Sequence, residues 1–152
     1  MQFANNTKEV ITLALFCAVS GCGGRGRSNQ QLEASPLKPL VKFYGDYVNQ
    51  HQGRPPAGEA EFKAFLKESK NADWLKAEFK IADIDKLLIS PRDNKPYVIY
   101  YGTKSKNIGP GGASVVAYEK EGLGGKRFVA SALGAVEEVD EAAFRKMVPD
   151  GG

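Results

Sequence analysis

Apolar residues recur at intervals of three and four in the segment that follows Pro36 and Pro39. The positions are Leu40, Val41, Tyr44, Tyr47, Val48 and His51, and Gly53 follows them. This spacing places one apolar stripe along a helix, and a glycine is a common helix end. The pattern therefore predicts an amphipathic helix from about Pro39 to Gly53, with Gly45 as a weak point inside it.

A second helix is predicted at 59–69, after the break at Arg54-Pro55-Pro56. Phe62, Phe65 and Leu66 share one side of this helix, whereas Lys63 and Lys67 are expected to face solvent. The next apolar residues, Trp74, Leu75 and Phe79, are predicted to form a short turn beneath the helices, capped by Asn71 and Asp73.

Beyond residue 86 the pattern changes to short runs of Val, Ile, Tyr and Phe separated by turn residues, which is typical of strands. The predicted strands are 87–89, 97–101, 114–118, 127–132 and 135–139. Turns are expected at 91–96 and 122–125, and Asp140 is the predicted cap of a closing helix at 141–147. The fold class is α+β, with N-terminal amphipathic helices packed on a small antiparallel β-meander and a short C-terminal helix. We predict that residues 37–148 form one globular domain.

The first residues of the chain have the plan of an export signal. Lys8 supplies a positive charge, residues 10–19 form an apolar run of ten, and the small residues Ser20 and Gly21 follow. The run is about half the roughly 20 residues that a transmembrane helix requires. The sequence therefore predicts a leader at 1–21 that is removed from the mature protein.

The segment Val19-Ser20-Gly21-Cys22 resembles the lipobox of bacterial lipoproteins at all four positions. In that family the cysteine thiol is joined to diacylglycerol, the leader is cut immediately before the cysteine, and the new amino group is often acylated. The resemblance implies that Cys22 is the lipidated first residue of an exported, membrane-anchored protein. Two or more acyl chains hold a protein stably on a bilayer. The alternative is an ordinary cleavage site in which Cys22 is only a small residue.

Residues 22–36 are rich in Gly, Ser and Gln and lack apolar periodicity, which predicts a flexible tether. Gly23 provides no acidic retention signal beside Cys22. By resemblance to the sorting rule of some Gram-negative bacteria, the outer membrane is favoured over the inner membrane.

Composition and charge exclude several classes of function. Apolar residues make up 42% of the chain and charged residues 26%, and the formal net charge of +3 is too small to indicate a nucleic-acid partner. The two cysteines are Cys17, in the leader, and Cys22, so no disulfide can form in the mature domain. We therefore expect the packing of side chains, without disulfide bonds, to stabilise the folded domain.

Candidate catalytic and metal-binding groups are few. His51 is the single histidine, so a histidine zinc site and a cysteine–histidine dyad are both excluded, and we expect it at a helix end. Asp83, Asp85 and Asp93 are the nearest approach to a calcium-binding cluster, but the glycine and glutamate of an EF-hand loop are missing. Turn capping is the alternative role for these aspartates. We predict no cofactor and no complete metal site.

Two further features permit a binding role. Residues 102–112, GTKSKNIGPGG, are either a recognition loop or a connector between strands, and they lack the ending of a P-loop. Four tyrosines could stack on a ligand only if they shared one face of the sheet: Tyr97, Tyr100, Tyr101 and Tyr118. Alternation along the strand instead places Tyr97 and Tyr101 on one side and Tyr100 on the other, which favours packing against the helices.

Two segments resemble exported proteins of planctomycetes: SPRDNKPYVIYYG at 90–102, and residues 115–144. The C-terminal halves of those proteins are similar to the globular domain of type II secretion pseudopilins. The resemblance implies a helix packed on a small antiparallel sheet. Pseudopilins begin with about twenty apolar residues, whereas this chain has a run of ten and a lipobox. The related proteins also often carry Asp-Gly where this chain has Asp93-Asn94.

The sequence thus predicts a non-catalytic envelope lipoprotein that serves as a binding or assembly module. Its partners would be the membrane, through the acyl groups, and an envelope protein. A pseudopilin-like accessory of a type II secretion-like system is the second hypothesis. A hydrolase that uses Asp83, Asp85 or Asp93 is the third.

Overall fold

The computed structural model describes Ser35 and residues 37–151. The lipobox, Cys22 and most of the predicted tether lie outside the described residues. The described chain has an α+β fold in which helices come first, a four-stranded antiparallel sheet follows, and a short helix ends the domain. The predicted fold class is therefore confirmed. None of the helices in this part of the chain combines the length and apolarity needed to cross a bilayer.

The first helix, α1, spans Leu37–Gln50 and follows the predicted apolar stripe. The Leu37 N–H donates to Ser35 Oγ at 3.3 Å, and Pro39 is tolerated because the first-turn N–H groups have no partner within a helix. Leu40, Tyr44 and Tyr47 are buried on the inner side. Hydrophobic burial thus fixes which face of α1 contacts the rest of the domain.

Three more helices follow: α2, Glu59–Lys67; α3, Ser69–Phe79; and α4, Ile84–Leu87. The predicted short turn around Trp74 is wrong, because α3 is a helix of 11 residues. Asn71 does not cap α3, since its side chain donates to the Phe65 carbonyl at 2.7 Å across the break between α2 and α3.

The predicted strand at 87–89 is also wrong. Asp83 accepts a hydrogen bond from the Asp85 N–H and caps α4, which runs through Leu87. Of residues 87–89, only Ile89 forms a β-bridge, with Pro96. The capping side chain thus outweighs the strand preference of these residues.

The sheet is a meander in the order β1-β2-β3-β4, with Val98–Ile99, Val115–Tyr118, Lys126–Ser131 and Val136–Asp140 as its strands. All neighbours are antiparallel, as predicted. The register of β2 against β3 shifts between Val115 and Ala117, so Val116 is an extra residue in β2. The helix α5, Glu141–Met147, ends the domain.

The core lies on both faces of the sheet. On one face, Ala117, Phe128 and Ala130 are part of a buried cluster that includes the apolar side chains of α1, α2 and α3. On the other face, Val129 and Tyr118 join Phe144 of α5 in a second cluster. The sheet is therefore covered by helices on both sides, and its outer strand β1 lies next to α2 and α4.

Candidate functional site

A surface groove lies between β1 and the helices α2 and α4. It has a volume of about 200 Å³. Its lining residues are Glu59, Lys63, Asp85, Leu88, Ile89, Pro96, Tyr97, Ile99 and Tyr101. The groove thus combines an apolar floor with three charged groups at its rim, which is a common composition for a binding site.

Lys63 connects the two acidic residues at the rim. Its Nζ lies 2.7 Å from Glu59 Oε1 and 2.7 Å from Asp85 Oδ1, so it ties α2 to α4. The hydrogen bonds that Lys63 donates to Asp85 and, second, to Glu59 raise the pKa of Lys63, and the bond from Lys63 lowers the pKa of Asp85. Both shifts favour the charged forms of Lys63 and Asp85, so neither group is tuned for proton transfer at neutral pH. Lys67 is exposed as expected, whereas the Lys63 side chain is only 28% exposed and is paired with both carboxylates.

Two tyrosines form one wall of the groove. Burial raises the pKa of Tyr101 to about 12, and burial also raises the pKa of Tyr97. Both belong to the helix-side cluster, whereas Tyr100 and Tyr118 belong to the cluster around α5. The predicted split of Tyr97 and Tyr101 from Tyr100 is confirmed, so the four tyrosines do not form one stacking surface.

A buried polar network lies behind the groove. Ser90 and Glu119 are both 0% exposed, and Ser90 Oγ donates to Glu119 Oε1 at 2.7 Å. The Phe128 N–H donates to Glu119 Oε2 at 2.8 Å, and Arg92 Nη1 lies 3.3 Å from the same oxygen. Because solvent reaches neither Ser90 nor Glu119, this serine–carboxylate pair cannot meet a substrate and acts in stability.

Arg92 extends the network outward. Its Nη2 donates to Glu138 Oε1 at 2.9 Å, and its guanidinium lies 4.4 Å from the centre of the Phe128 ring. Neither Arg92 nor Glu119 belongs to a catalytic or metal-binding motif that the sequence reveals. One signal was available for Glu119, since it follows buried Ala117 by two residues and strand alternation points it to the same side.

Asp93 is held by backbone groups. Its carboxylate accepts hydrogen bonds from the N–H groups of Lys95, Glu121 and Gly122 at 2.9, 3.0 and 2.8 Å. Burial raises the pKa of Asp93, but these backbone bonds outweigh burial and leave it below its usual value. Asn94 has a φ of +55°, a conformation that Asn and Gly tolerate best. Asp93 therefore clamps the 91–96 turn to the β2–β3 hairpin.

The structure does not bring the three candidate aspartates together as ligands. Asp83 caps α4, Asp85 pairs with Lys63, and Asp93 binds the hairpin backbone. Within residues 35 and 37–151 there is no group of three His, Cys, Asp or Glu side chains that could hold a metal ion. His51 lies at the end of α1, as predicted, where its Nδ1 donates to the Tyr47 carbonyl at 2.8 Å and its ring stacks on Tyr47.

Comparisons with known proteins identify no relative: no family model, no curated protein and no solved structure matches this chain.

Proposed function

We propose that this chain is a membrane-anchored lipoprotein of the bacterial envelope, and that its α+β domain is a non-catalytic binding or assembly module. The observation that carries the proposal is Val19-Ser20-Gly21-Cys22, placed directly after an apolar run of ten residues. Acyl chains on Cys22 provide the attachment to the membrane. The Gly at position 23 favours the outer membrane.

The bonding of the polar side chains supports a module without catalysis. Asp85 is neutralised by Lys63, and Asp93 has its oxygens occupied by backbone N–H groups. The Ser90–Glu119 pair is inaccessible. Each of these acids and bases therefore has a structural partner, and the groove beside β1 is a candidate binding surface.

The anchor is tested by intact mass and membrane fractionation in a bacterium that processes lipoproteins. The wild type should begin at Cys22, carry acyl mass and fractionate with membranes. Cys22→Ser should lose the acyl mass, whereas the matched variant Cys17→Ser should keep it, because residue 17 lies in the removed leader. An unacylated, soluble wild-type product would overturn the proposal.

The choice of membrane has its own test in a host that sorts lipoproteins by the residue after the lipidated cysteine. Density-gradient separation should place the wild type in the outer membrane. Gly23→Asp should move it to the inner membrane while the acyl mass remains. An identical distribution of the two proteins would remove the argument from Gly23.

The second candidate function is a pseudopilin-like accessory of a type II secretion-like system. A helix packed on a small antiparallel sheet is the arrangement that the resemblance at 90–102 and 115–144 implies, and α1 packs on β2 and β3 in this way. This candidate requires co-purification with secretion components from gently solubilised membranes, and their absence would eliminate it.

A further inference from the structure

Two chain connections meet at one end of the sheet, opposite the β2–β3 hairpin. They are the loop 102–114, between β1 and β2, and the turn 131–135, between β3 and β4; together we call them the lysine tip. Ser114 joins them, because it forms a β-bridge with Ile108 and its carbonyl accepts from the Ala132 N–H at 2.8 Å. The lysine tip is thus one continuous surface.

The lysine tip exposes large apolar side chains. Leu133 is 77% exposed and Ile108 is 56% exposed, and Leu133 is the most exposed of the large hydrophobic residues in the described chain. Single exposed hydrophobic residues are ordinary, whereas contiguous apolar surface marks interaction sites, and here the two side chains lie on loops joined through Ser114.

The charge of the lysine tip has one sign. Lys104 and Lys106 are exposed, and neither forms an ion pair with another described residue. The segments 102–114 and 131–135 contain no Asp or Glu. Exposed apolar side chains and unpaired lysines on the same pair of loops match the interface of an anionic bilayer, where acyl chains adjoin phosphate groups.

The backbone of the lysine tip is held in place before any partner arrives. The Val115 N–H donates to the Asn107 carbonyl at 2.8 Å, and the Gly109 N–H donates to the Ala113 carbonyl at 2.8 Å. The Asn107 side chain also donates to the Tyr100 hydroxyl at 2.8 Å. A loop fixed in this way loses less conformational entropy on binding than a mobile one.

We propose that the lysine tip docks on an anionic phospholipid surface, with Leu133 and Ile108 entering the interface and Lys104 and Lys106 facing lipid phosphates. This inference rests on the proposed membrane anchor, which raises the local lipid concentration. The segment 22–36 can span at most about 50 Å, and a domain of this size has a radius of gyration of about 13 Å. The tether is therefore long enough to let the lysine tip reach the membrane.

The test places a fluorophore at the tip of the mature lipoprotein in vesicles. Leu133→Cys supplies the one reactive thiol, since Cys22 is acylated and Cys17 is removed, and an environment-sensitive label is attached there. Leu123→Cys is the matched control, because Leu123 is 59% exposed in the hairpin at the opposite end of the sheet. In vesicles that contain phosphatidylglycerol, lipid-attached quenchers should quench the label at position 133 and leave the label at position 123 unchanged.

Charge dependence separates specific docking from insertion of the label itself. The double variant Lys104→Gln and Lys106→Gln should weaken tip binding by on the order of 25-fold, about fivefold per lysine. Lys70→Gln with Lys76→Gln, two exposed lysines of α3, removes the same charge and should have little effect. Equal quenching at positions 133 and 123, no quenching in anionic vesicles, or equal effects of the two lysine pairs would overturn the proposal.

The experiment also distinguishes this inference from the proposed anchor. Acylation is measured first, by intact mass. If the protein is acylated but the label at position 133 is not quenched, the anchor proposal stands and the docking of the lysine tip is refuted. If Cys22 carries no acyl group, flotation of the unlabelled protein with phosphatidylglycerol vesicles tests the docking of the lysine tip by itself. Binding that depends on Lys104 and Lys106 supports the docking proposal, and the absence of binding overturns it.

Discussion

Ser90 and Glu119 lie 29 residues apart in the chain and share a hydrogen bond of 2.7 Å that solvent does not reach. The bond joins the start of the 91–96 turn to the end of β2. A buried carboxylate is tolerated only when its oxygens are paired, and here Ser90, the Phe128 N–H and Arg92 provide the partners.

Glu119→Ala should therefore lower the free energy of unfolding by about 3–5 kcal/mol, because it removes the acceptor of a buried network. Urea denaturation measures the loss, and Glu119→Gln should retain more stability than the alanine variant. The control is Glu121→Ala: Glu121 is 61% exposed and lies 3.5 Å from Lys95, an exposed pair whose loss should change stability by less than about 1 kcal/mol. Equal losses at positions 119 and 121 would contradict the structural role of the network.

Gly45→Ala should stabilise the domain by about 0.5–1 kcal/mol, since glycine is unfavourable inside a helix. A Cβ at position 45 would meet no atom within 4 Å. Gly122→Ala should have the opposite effect, because Gly122 has a φ of +72° and its Cβ would lie 2.0 Å from the Lys126 carbonyl oxygen. Thermal unfolding of both variants checks the prediction, and destabilisation by Gly45→Ala would show that α1 does not tolerate a methyl group there.

Asp93→Asn should reduce stability at neutral pH and should have progressively less effect in acid. The pKa of Asp93 lies below its usual value in the folded state. Its carboxylate therefore stabilises the fold above about pH 4, and this contribution disappears as the pH falls through the folded pKa. The neutral-pH difference should be about 1 kcal/mol, because a charged acceptor is replaced by an amide.

The measurement is the free energy of unfolding of wild type and Asp93→Asn between pH 7 and pH 3. Asp73→Asn, at an exposed position of α3, controls for the loss of one negative charge. A difference between wild type and Asp93→Asn that grows as the pH falls would reverse the sign and refute the clamp.

Asp140→Ala should cost about 1 kcal/mol, because Asp140 Oδ1 accepts from the Ala143 N–H at 2.8 Å at the start of α5. Asp140→Ser should be nearly neutral, since serine is also a good N-cap. Chemical denaturation of the two variants distinguishes the capping bond from the negative charge. If serine is as harmful as alanine, the charge and not the cap supports α5.

Local signals in the sequence were sufficient for part of the fold. The α1 stripe, the Asp140 cap and the glycine-rich hairpin at 122–125 each depend on neighbouring residues, and each is found as predicted. The strand predicted at 87–89 failed because Ile and Leu suit both a strand and a short helix. The cap at Asp83 decides between them, since an aspartate before the apolar residues is a signal for a helix start.

The groove could not be predicted, because its charged rim depends on tertiary proximity. Lys63 has a helix-surface position by periodicity alone, and its contact with Asp85 exists only because α2 and α4 meet. Glu119 stands between Tyr118 and Lys120 and resembles a solvent-exposed turn residue, so only its spacing from Ala117 indicates that it is buried. The proposed lipidation of Cys22 stays a prediction, since it concerns residues that the structure does not describe.

The meander order of the sheet affects how the domain reaches its native state. Every strand pairs with its neighbour along the chain, so β3 and β4 close through a short turn and β1 and β2 through a longer loop, and the entropic cost of closure grows only slowly with loop length. Contacts of low sequence separation favour fast folding. The docking of α1 on β2 and β3 is the long-range step. We therefore expect the sheet to assemble with little kinetic delay, with the arrival of α1 as the step that limits the folding rate.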